Sequence, residues 1–477
     1  MEVETIVMYL LGVLFVVVGI GVSIALHEIG HLLPAKKFGV KCTQYMVGFG
    51  PTLWSRTKGE TEYGIKAIPL GGYVRMVGMF PPAEETSSRS RASAVTVGES
   101  PETDESPRPQ RSGRWAAMIE DARNASLAEM TPEDRPRAFY RLSTPKKIIV
   151  MLGGPVMNLL LATLVLGGIV LFNGVAVAQP GAQVASVVQC VRPVEGPAST
   201  ADRSPCTAAD TPSPAAAAGL RPGDTFVSIG GQPVTDTSEV ATLIRPHADQ
   251  PLEFVVERDG QQLTLTVTPI PNTVPQLGAD GQFVHEADGS IATTTAGYIG
   301  VGSAPPVAMD RSLSQVPSMV WMVTERTAAI VFTLPQRIYE VGQAAFGSAP
   351  RDAEGPMSVV GVGRVAGEVS SGMALQGPDG TALPISDRVV MLWSLLGSLN
   401  IALFVFNLIP LLPLDGGHVA GALWESIKRG FARVTKRPDP GYVDVAKALP
   451  LTYGVAIVLI SMSVLLIYAD IVKPIRL

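Results

Sequence analysis

Four long runs of apolar residues constrain this chain more than any other feature of its sequence. None of them contains Asp, Glu, Lys or Arg, and they cover residues 5–26, 148–178, 389–414 and 449–469. Each is long enough to cross a bilayer as a helix, which requires about 20 apolar residues. The chain of 477 residues is only 17% charged, whereas soluble globular proteins average about 25%. The sequence therefore predicts a mainly α-helical, polytopic membrane protein with four transmembrane helices, and argues against a soluble single-domain enzyme.

Basic residues indicate on which side of the membrane each connecting segment lies. Residues 34–147 contain 18 Lys and Arg and residues 425–450 contain six, whereas the much longer stretch 179–388 contains 11. The positive-inside rule places the two dense segments in the cytoplasm and the middle one outside. No small-residue cleavage site follows the first run, so we expect it to remain as a helix rather than to be removed as a signal peptide.

Net charge and cysteine content argue against two further classes of protein. The formal net charge is −5, which disfavours a basic surface for nucleic acid, and we expect no nucleic acid among the partners. Three cysteines are too few for a disulfide scaffold or a zinc-finger array. Cys190 and Cys206 fall on the predicted oxidising side and are candidates for a disulfide, whereas Cys42 has no evident partner.

The connecting segments differ in composition and predict different structures. Residues 46–79 read as a β-hairpin, with an apolar strand, a polar turn and a second strand. Residues 81–112 are rich in Pro, Ser, Glu and Arg and lack a core-forming pattern, which predicts disorder. Residues 180–272 combine several strand patterns with one helical pattern, which predicts a compact α+β module.

The motif His27-Glu28-Ile29-Gly30-His31 directly continues the first apolar run. On a helix, positions i and i+4 share one face, so two imidazoles can bind one Zn²⁺ while the adjacent Glu28 acts as general base towards the attacking water. The alternative is a structural role. An ionisable group in a membrane helix costs about 2.5–3.5 kcal/mol, so three of them within five positions favour a functional site.

A catalytic zinc needs a third protein ligand, and the end of the third run offers two candidates. Pro410 and Pro413 interrupt the helix there, and Asp415 follows at the same cytoplasmic end as the two histidines in the predicted topology. His418 competes with Asp415 as a ligand, but it lies beyond the run. Either residue alone is also compatible with an interfacial polar position.

Three segments together resemble the site-2 proteases, which are intramembrane zinc metalloproteases. They are the motif at residues 27–31, the Gly-Pro-Val-Met-Asn of residues 154–158 and residues 407–417. The resemblance is closest to the RseP-like branch, which carries an extracytoplasmic PDZ module between spans two and three, although only a single PDZ domain is recognisable here. The order of the three segments along the chain and their placement in the apolar runs make the resemblance specific.

The resemblance implies a role for each matching residue. His27, His31 and Asp415 would be the zinc ligands, and Glu28 the catalytic base. Asn407 and Asn158 would bind the substrate, with Asn158 alternatively packing the site. Residues 46–79 are similar to the membrane-associated β-hairpin of the family, which offers an edge strand to an unwound substrate helix. Residues 213–231 are similar to a PDZ carboxylate-binding region, although a size filter that binds no peptide end is an equal alternative.

The predicted organisation follows from the runs and the resemblance together. It comprises a first transmembrane helix with the metal motif (1–45), the membrane-associated β-hairpin (46–79), a partly disordered cytoplasmic loop (80–147), a second transmembrane helix (148–178), an extracytoplasmic PDZ domain (180–272), a region leading back to the membrane (273–388), a third transmembrane segment (389–424), a cytoplasmic loop (425–448) and a fourth transmembrane helix (449–472).

The function implied by the resemblance is regulated intramembrane proteolysis in a bacterial plasma membrane, with the active site near the cytoplasmic face. The expected partners are the lipid bilayer and a single-span membrane protein, such as an anti-sigma factor pre-cut by another protease, or a remnant signal peptide. Two alternatives stay open. A metal transporter also needs intramembrane His and Asp, and a PDZ scaffold anchored by helices needs neither them nor the adjacent Glu.

Overall fold

The computed structural model describes residues 3–82, 118–121, 130–191, 206, 211–275, 292–347, 351–352, 355–373 and 382–475. The segment predicted to be disordered, 81–112, lies outside the described residues except for its first two positions. The chain divides into two compact units. Unit 1 consists of Met1–Asn173 with Ser312–Leu477, and unit 2 of Gly174–Arg311.

The principal helices, in chain order, are α1 Val3–Lys37, α2 Thr144–Phe172, α3 Pro214–Ala217, α4 Thr237–Ile244, α5 Gln315–Phe346, α6 Val359–Ser371, α7 Ile385–Asn407, α8 Asp415–Val434 and α9 Leu449–Val472. Short 3-10 helices occur at Pro132–Arg137, Phe139–Arg141, Arg245–His247 and Val445–Ala448. The strands are β1 Cys42–Lys58, β2 Thr61–Met76, β3 Val175–Ala178, β4 Ala182–Val187, β5 Cys190–Val191, β6 Thr211–Pro212, β7 Thr225–Ile229, β8 Gln232–Pro233, β9 Leu252–Arg258, β10 Gln261–Val267, β11 Ile270–Pro275, β12 Thr293–Tyr298, β13 Val301–Ala304 and β14 Val307–Asp310.

Four helical segments of the described chain are long and apolar enough to cross a membrane, as predicted. They are Val3–Lys37, Thr144–Phe172, Ile385–Asn407 and Val445–Val472. Large apolar side chains such as Leu10 and Leu14 of α1 and Leu164 of α2 are exposed, as expected for surfaces that face lipid rather than water. The third of these segments ends at Asn407, and α8 begins at Asp415, so the helix is interrupted where the two prolines lie.

Glycine allows α1 and α2 to approach closely at the end of α1 that carries the metal motif. A Cβ atom added to Gly30 would lie 2.2 Å from the carbonyl oxygen of Gly153. A Cβ added to Gly153 would lie 2.0 Å from the carbonyl oxygen of Gly30. Small residues at such crossings let two backbones pack directly against each other in a membrane. The motif is therefore held against one face of α2.

A second contact joins α1 to the third apolar helix farther along the bundle. Asn400 of α7 donates hydrogen bonds to the hydroxyl of Ser23, at 2.9 Å, and to the carbonyl oxygen of Leu396, also at 2.9 Å. Asn400 is buried, and its Oδ1 atom has no hydrogen-bond partner within the described residues.

The segment after α1 forms an antiparallel sheet whose two long strands bend back on themselves. Residues 42–47 of β1 pair on one side with residues 61–65 and on the other with residues 72–76, while residues 54–58 pair with residues 61–65 from the opposite side. The sheet therefore has four short segments in the order 54–58, 61–65, 42–47, 72–76. Within the part of the chain that the structure describes, residues 72–76 form one edge of this sheet. The phenolic oxygen of Tyr45 fixes the sheet to α1 by donating to the carbonyl of Ala25 at 2.8 Å.

Unit 2 is built around a sheet with the strand order β10-β9-β7-β4-β13, with β8 paired to β7. Its core contains Phe226, Ile229, Phe254 and Val256, packed beneath α4. A capping box of Asp236 and Glu239 begins α4. The edge strand β13 lies outside the predicted module range 180–272, since a strand distant in sequence completes the sheet by pairing with β4.

Two details of unit 2 bear on the sequence predictions. Cys190 and Cys206 form a disulfide, as suggested, and Cys42 is a buried free thiol. A cavity of about 180 Å³ lies between α4 and residues 297–303. Residues 213–231, which include α3 and the interior strand β7, are not among the residues that line it.

Candidate metal centre

Three potential metal-binding atoms converge where α1 meets the start of α8. Nε2 of His27 lies 3.2 Å from Nε2 of His31, since the two residues are one helical turn apart on α1. Oδ2 of Asp415 lies 3.4 Å from the first and 3.3 Å from the second. Asp415 reaches them because the helix break lets α8 begin at this depth. The structure thus brings together the three predicted ligands.

The charge pattern of this cluster fits a cation. Oδ2 of Asp415 is buried and accepts no hydrogen bond within the described residues, although two imidazole nitrogens lie 3.3 and 3.4 Å away. Neither contact meets hydrogen-bond geometry, and a buried carboxylate oxygen that accepts no hydrogen bond is costly, so a bound cation would compensate it. Two imidazoles and one carboxylate with room for a fourth ligand form the donor set of a catalytic zinc site. These residues therefore fit a bound Zn²⁺.

Gly154 of α2 leaves room beside the two imidazole donor atoms. A Cβ atom added there would lie 2.2 Å from Nε2 of His31 and 2.7 Å from Nε2 of His27. Any larger residue would occupy the space into which the two nitrogens point. No role for Gly154 follows from the motif in which it occurs, since its proximity to the imidazoles depends on the crossing of two helices.

Glu28 follows the first histidine and lies on the side of α1 that faces the sheet. Its side chain is 9% exposed. A Cβ atom added to Gly72 in the edge segment would lie 2.9 Å from Cγ of Glu28. Within the described residues, no hydrogen bond or ion pair engages its carboxylate. Glu28 therefore lies beside the metal-binding atoms with free acceptor atoms and next to a sheet edge.

The two asparagines that were predicted to bind substrate occupy different positions. Asn158 is fully buried, and its side-chain nitrogen lies 3.0 Å from Nδ1 of His27. Asn407 is the last residue of α7, and its amide donates to the carbonyl of Leu403 at 3.0 Å on its own helix. Asn158 thus contacts a predicted ligand, whereas Asn407 is turned towards its own helix.

His418, the competing third ligand, is not part of the metal-binding group among the described residues. It lies one turn beyond Asp415 on α8 and lines a narrow cavity with Lys147 and Glu425. Among the described residues, the group that could hold a metal ion therefore contains Asp415 and not His418.

A buried ion pair that sequence reasoning missed joins α2 to the helix that carries Asp415. Nζ of Lys147 lies 2.9 and 3.1 Å from the two carboxylate oxygens of Glu425. Arg429 contacts the same carboxylate at 3.1 Å. Lys147 and Glu425 are too far apart in sequence for any spacing rule to pair them. The only signal available was the position of Lys147 at the very start of an apolar run.

Comparison with known proteins gives a consistent assignment. The model of peptidase family M50 matches residues 15–438. Zinc metalloprotease Rip1 of Mycobacterium tuberculosis is 32% identical over 476 residues, which cover 98% of this chain and 99% of the relative. Metalloprotease MmpA of Caulobacter vibrioides is 27% identical over 423 residues, covering 88% and 87% of the two chains. Zinc metalloprotease RasP of Geobacillus kaustophilus is 27% identical over 448 residues, covering 87% and 89%.

The matched residues include all of the donor atoms described above, and both the family model and the relatives span most of the chain. The chain belongs to peptidase family M50, the family of site-2 proteases.

Proposed function

We propose that this zinc metalloprotease cleaves single-span membrane proteins within the bilayer, near the cytoplasmic face of the bacterial plasma membrane. Its family makes the chain an intramembrane zinc protease. The residue roles, the substrate class and the orientation are our proposal. The observation that carries it is the convergence of His27, His31 and Asp415, where a buried oxygen of Asp415 has no hydrogen-bond partner among the described residues. Glu28 follows His27 on the same helix.

The three converging residues would hold the metal, and Glu28 would move the proton. When bound, Zn²⁺ supplies the Lewis acidity that activates water and polarises the scissile carbonyl. The Glu28 carboxylate accepts a proton from the attacking water as the new C–O bond forms. It then donates that proton to the leaving amine nitrogen as the C–N bond breaks. Its free acceptor atoms and its position next to His27 suit this role.

The edge segment at residues 72–76 would present the substrate to Glu28. A transmembrane helix hides its peptide bonds, so it must unwind before cleavage, and its released backbone groups need new partners in the membrane. An extended peptide can find them by adding to a sheet edge. Residues 72–76 pair on one side with residues 42–47, and Gly72 lies against Glu28. A substrate strand added beside Gly72 would therefore pass close to the base.

Asn407 would contact the substrate at the other side of the site. We propose that its amide leaves the carbonyl of Leu403 when substrate is present and donates to the scissile carbonyl region instead. The hydrogen bond to Leu403 is an i to i−4 contact on a helix end. Exchanging such a bond for one to substrate keeps the amide paired in both states.

Unit 2 would be an extracytoplasmic PDZ domain that controls access to the protease. The basic-residue bias supports the orientation, because the segment 179–388 is sparse in Lys and Arg. The cavity between α4 and residues 297–303 is the part of unit 2 that an extended peptide end would suit. The alternative is a size filter that binds no peptide end, for which the cavity has no role. The predicted substrate remains a single-span protein such as a pre-cut anti-sigma factor or a remnant signal peptide.

The decisive experiment compares Glu28→Gln with the wild type, both purified and reconstituted with a single-span substrate. We expect the variant to bind one equivalent of zinc while cleavage falls by about 10²–10⁴-fold, the usual contribution of a general base. Glu4→Gln, at the far end of the same helix, is the matched control and should cleave normally. Wild-type cleavage by Glu28→Gln would overturn the mechanism, and zinc flux into vesicles without cleavage by the wild type would favour the transporter.

A further inference from the structure

One face of α2 carries three consecutive contacts to the histidines of α1. Val150, Gly154 and Asn158 are spaced at i, i+4 and i+8, so they lie on one stripe of the helix. Gly154 faces both Nε2 atoms. The other ring nitrogen of each histidine, Nδ1, is contacted one turn away on α2. Val150 contacts Nδ1 of His31, and Asn158 contacts Nδ1 of His27. Both Nδ1 atoms are therefore contacted by the same helix, α2.

The contact to His31 fixes the protonation of that ring. Nδ1 of His31 lies 2.8 Å from the carbonyl oxygen of Val150. A carbonyl oxygen can only accept, so Nδ1 carries the hydrogen and donates it. A neutral imidazole with its hydrogen on Nδ1 has a lone pair on Nε2, which is the state a metal ligand requires. The backbone of α2 thus prepares His31 for metal binding.

The contact to His27 is ambiguous, because the side-chain oxygen and nitrogen of an asparagine have nearly the same shape. Nδ1 of His27 lies 3.0 Å from the amide nitrogen of Asn158, and the amide oxygen is buried with no hydrogen-bond partner among the described residues. If the nitrogen donates to Nδ1, the hydrogen of the neutral ring sits on Nε2 and points into the metal site. Turning the amide by half a rotation instead places Oδ1 against Nδ1.

We propose that Asn158 accepts a hydrogen bond from Nδ1 of His27 through its amide oxygen, and thereby holds His27 in the form that binds zinc through Nε2. Asn158 is then a positioning residue rather than a substrate-binding one. Its complete burial supports this role, since a residue with no exposed surface has no face to offer a substrate. The inference rests on the proposed ligand set and deepens it.

A hydrogen-bond acceptor for the Nδ1–H of a ligating histidine affects how tightly the metal binds. A group that accepts the second N–H of a ligating histidine fixes its tautomer and ring orientation, and losing it typically lowers metal affinity by about 10–100-fold. For His31 a backbone carbonyl fills this role, so no substitution can remove it. For His27 a side chain fills it, which makes the idea testable by mutation.

The test compares zinc affinity, measured by competition with a chelator, in three variants of the full-length protein. Asn158→Leu removes the acceptor and should weaken zinc binding by about 10–100-fold. Asn158→Asp offers a carboxylate that only accepts, and should bind zinc at least as tightly as the wild type. Asn400→Leu is the matched control, because Asn400 is equally buried in the same bundle but contacts Ser23 rather than a ligand. It should leave zinc affinity unchanged.

A second measurement separates positioning from general packing. With Co²⁺ in place of zinc, the visible absorption bands report the geometry of the ligands. We expect these bands to change in Asn158→Leu and to be preserved in Asn158→Asp and Asn400→Leu. Wild-type zinc affinity in Asn158→Leu would overturn the inference, and so would weakened affinity in Asn158→Asp, which tests it alone if the leucine variant does not fold. A wild type that binds no zinc would instead overturn the ligand set of the proposed function.

Discussion

Oδ2 of Asp415 lies 3.3 Å from Nε2 of His31. His31 belongs to α1, the first helix of the chain, whereas Asp415 begins α8, the helix after the third apolar span. Neither segment can form the site alone. The break between α7 and α8 is what brings the carboxylate to the level of the histidines, since a continuous helix would carry Asp415 past the end of the span.

The first prediction concerns the identity of the third ligand. Replacing Asp415 with Ala should abolish stoichiometric zinc binding and cleavage, because two imidazoles remain where a catalytic zinc needs three protein ligands. His418→Ala, one turn farther along α8, should retain one equivalent of zinc. Metal analysis of the purified variants gives the answer directly. Zinc retained by Asp415→Ala and lost by His418→Ala would reverse the assignment.

The second prediction concerns the space beside the imidazoles. Gly154→Ala places a methyl group where it would lie 2.2 Å from Nε2 of His31, so the imidazoles or α2 must shift and the donor atoms lose their mutual geometry. We expect loss of zinc binding and of cleavage. Gly168→Ala, on the same helix, is the control, because a Cβ atom there meets nothing within 4 Å. Both variants need only a metal assay and a cleavage assay. Normal zinc content in Gly154→Ala would contradict the proposed site.

The sequence was sufficient for the features that depend on local pattern. Charge-free runs predicted the four apolar helices, and the i, i+4 spacing put His27 and His31 on one helix face. The membrane topology inferred from the basic residues puts Asp415 at the same end of its span as His27 and His31. Each of these inferences needs only a helical period or a run length.

The features that sequence reasoning missed depend on how distant elements pack. Gly154 faces the imidazoles because Gly30 and Gly153 let α1 and α2 cross closely, and no spacing within either helix reveals that crossing. The edge strand β13 pairs with β4 although a long stretch of chain lies between them, and it lies beyond the predicted module range 180–272. For Asn158 the sequence left substrate binding and packing of the site as alternatives, because its burial against His27 cannot be read from its position in a motif.

The third prediction concerns the buried ion pair that fixes the helix of Asp415. Glu425→Gln leaves Lys147 and Arg429 without their shared carboxylate, and removing one partner of a buried pair costs about 3–5 kcal/mol. Lys147→Met should cost less, because Arg429 still pairs with Glu425. Denaturant unfolding in detergent measures the free energy of unfolding of each variant. Equal stability of Glu425→Gln and the wild type would show that the pair does not hold α8 in place.

The last prediction concerns pH and a segment outside the apolar helices, the 3-10 helix that packs beside β1. Hydrogen bonds from Thr131 and then from Lys41 lower the pKa of Asp134 to about 2. Lys41 reaches both of its carboxylate oxygens, at 2.9 and 3.0 Å. Because the pKa is lower in the folded than in the unfolded chain, the stabilisation is complete above about pH 4 and is lost as the pH falls towards 2.

Asp134→Asn should therefore lower the free energy of unfolding at pH 7 by about 1.5–3 kcal/mol, the range for hydrogen bonds to a charged group. The difference from the wild type should shrink as the pH falls from 4 towards 2, because the wild-type carboxylate then becomes protonated as well. Glu133→Gln, the exposed neighbour on the same 3-10 helix, should have little effect at either pH. Denaturant unfolding at several pH values provides the comparison. A penalty for Asp134→Asn that stays constant down to pH 2 would show that the charge of Asp134 is not what stabilises this segment.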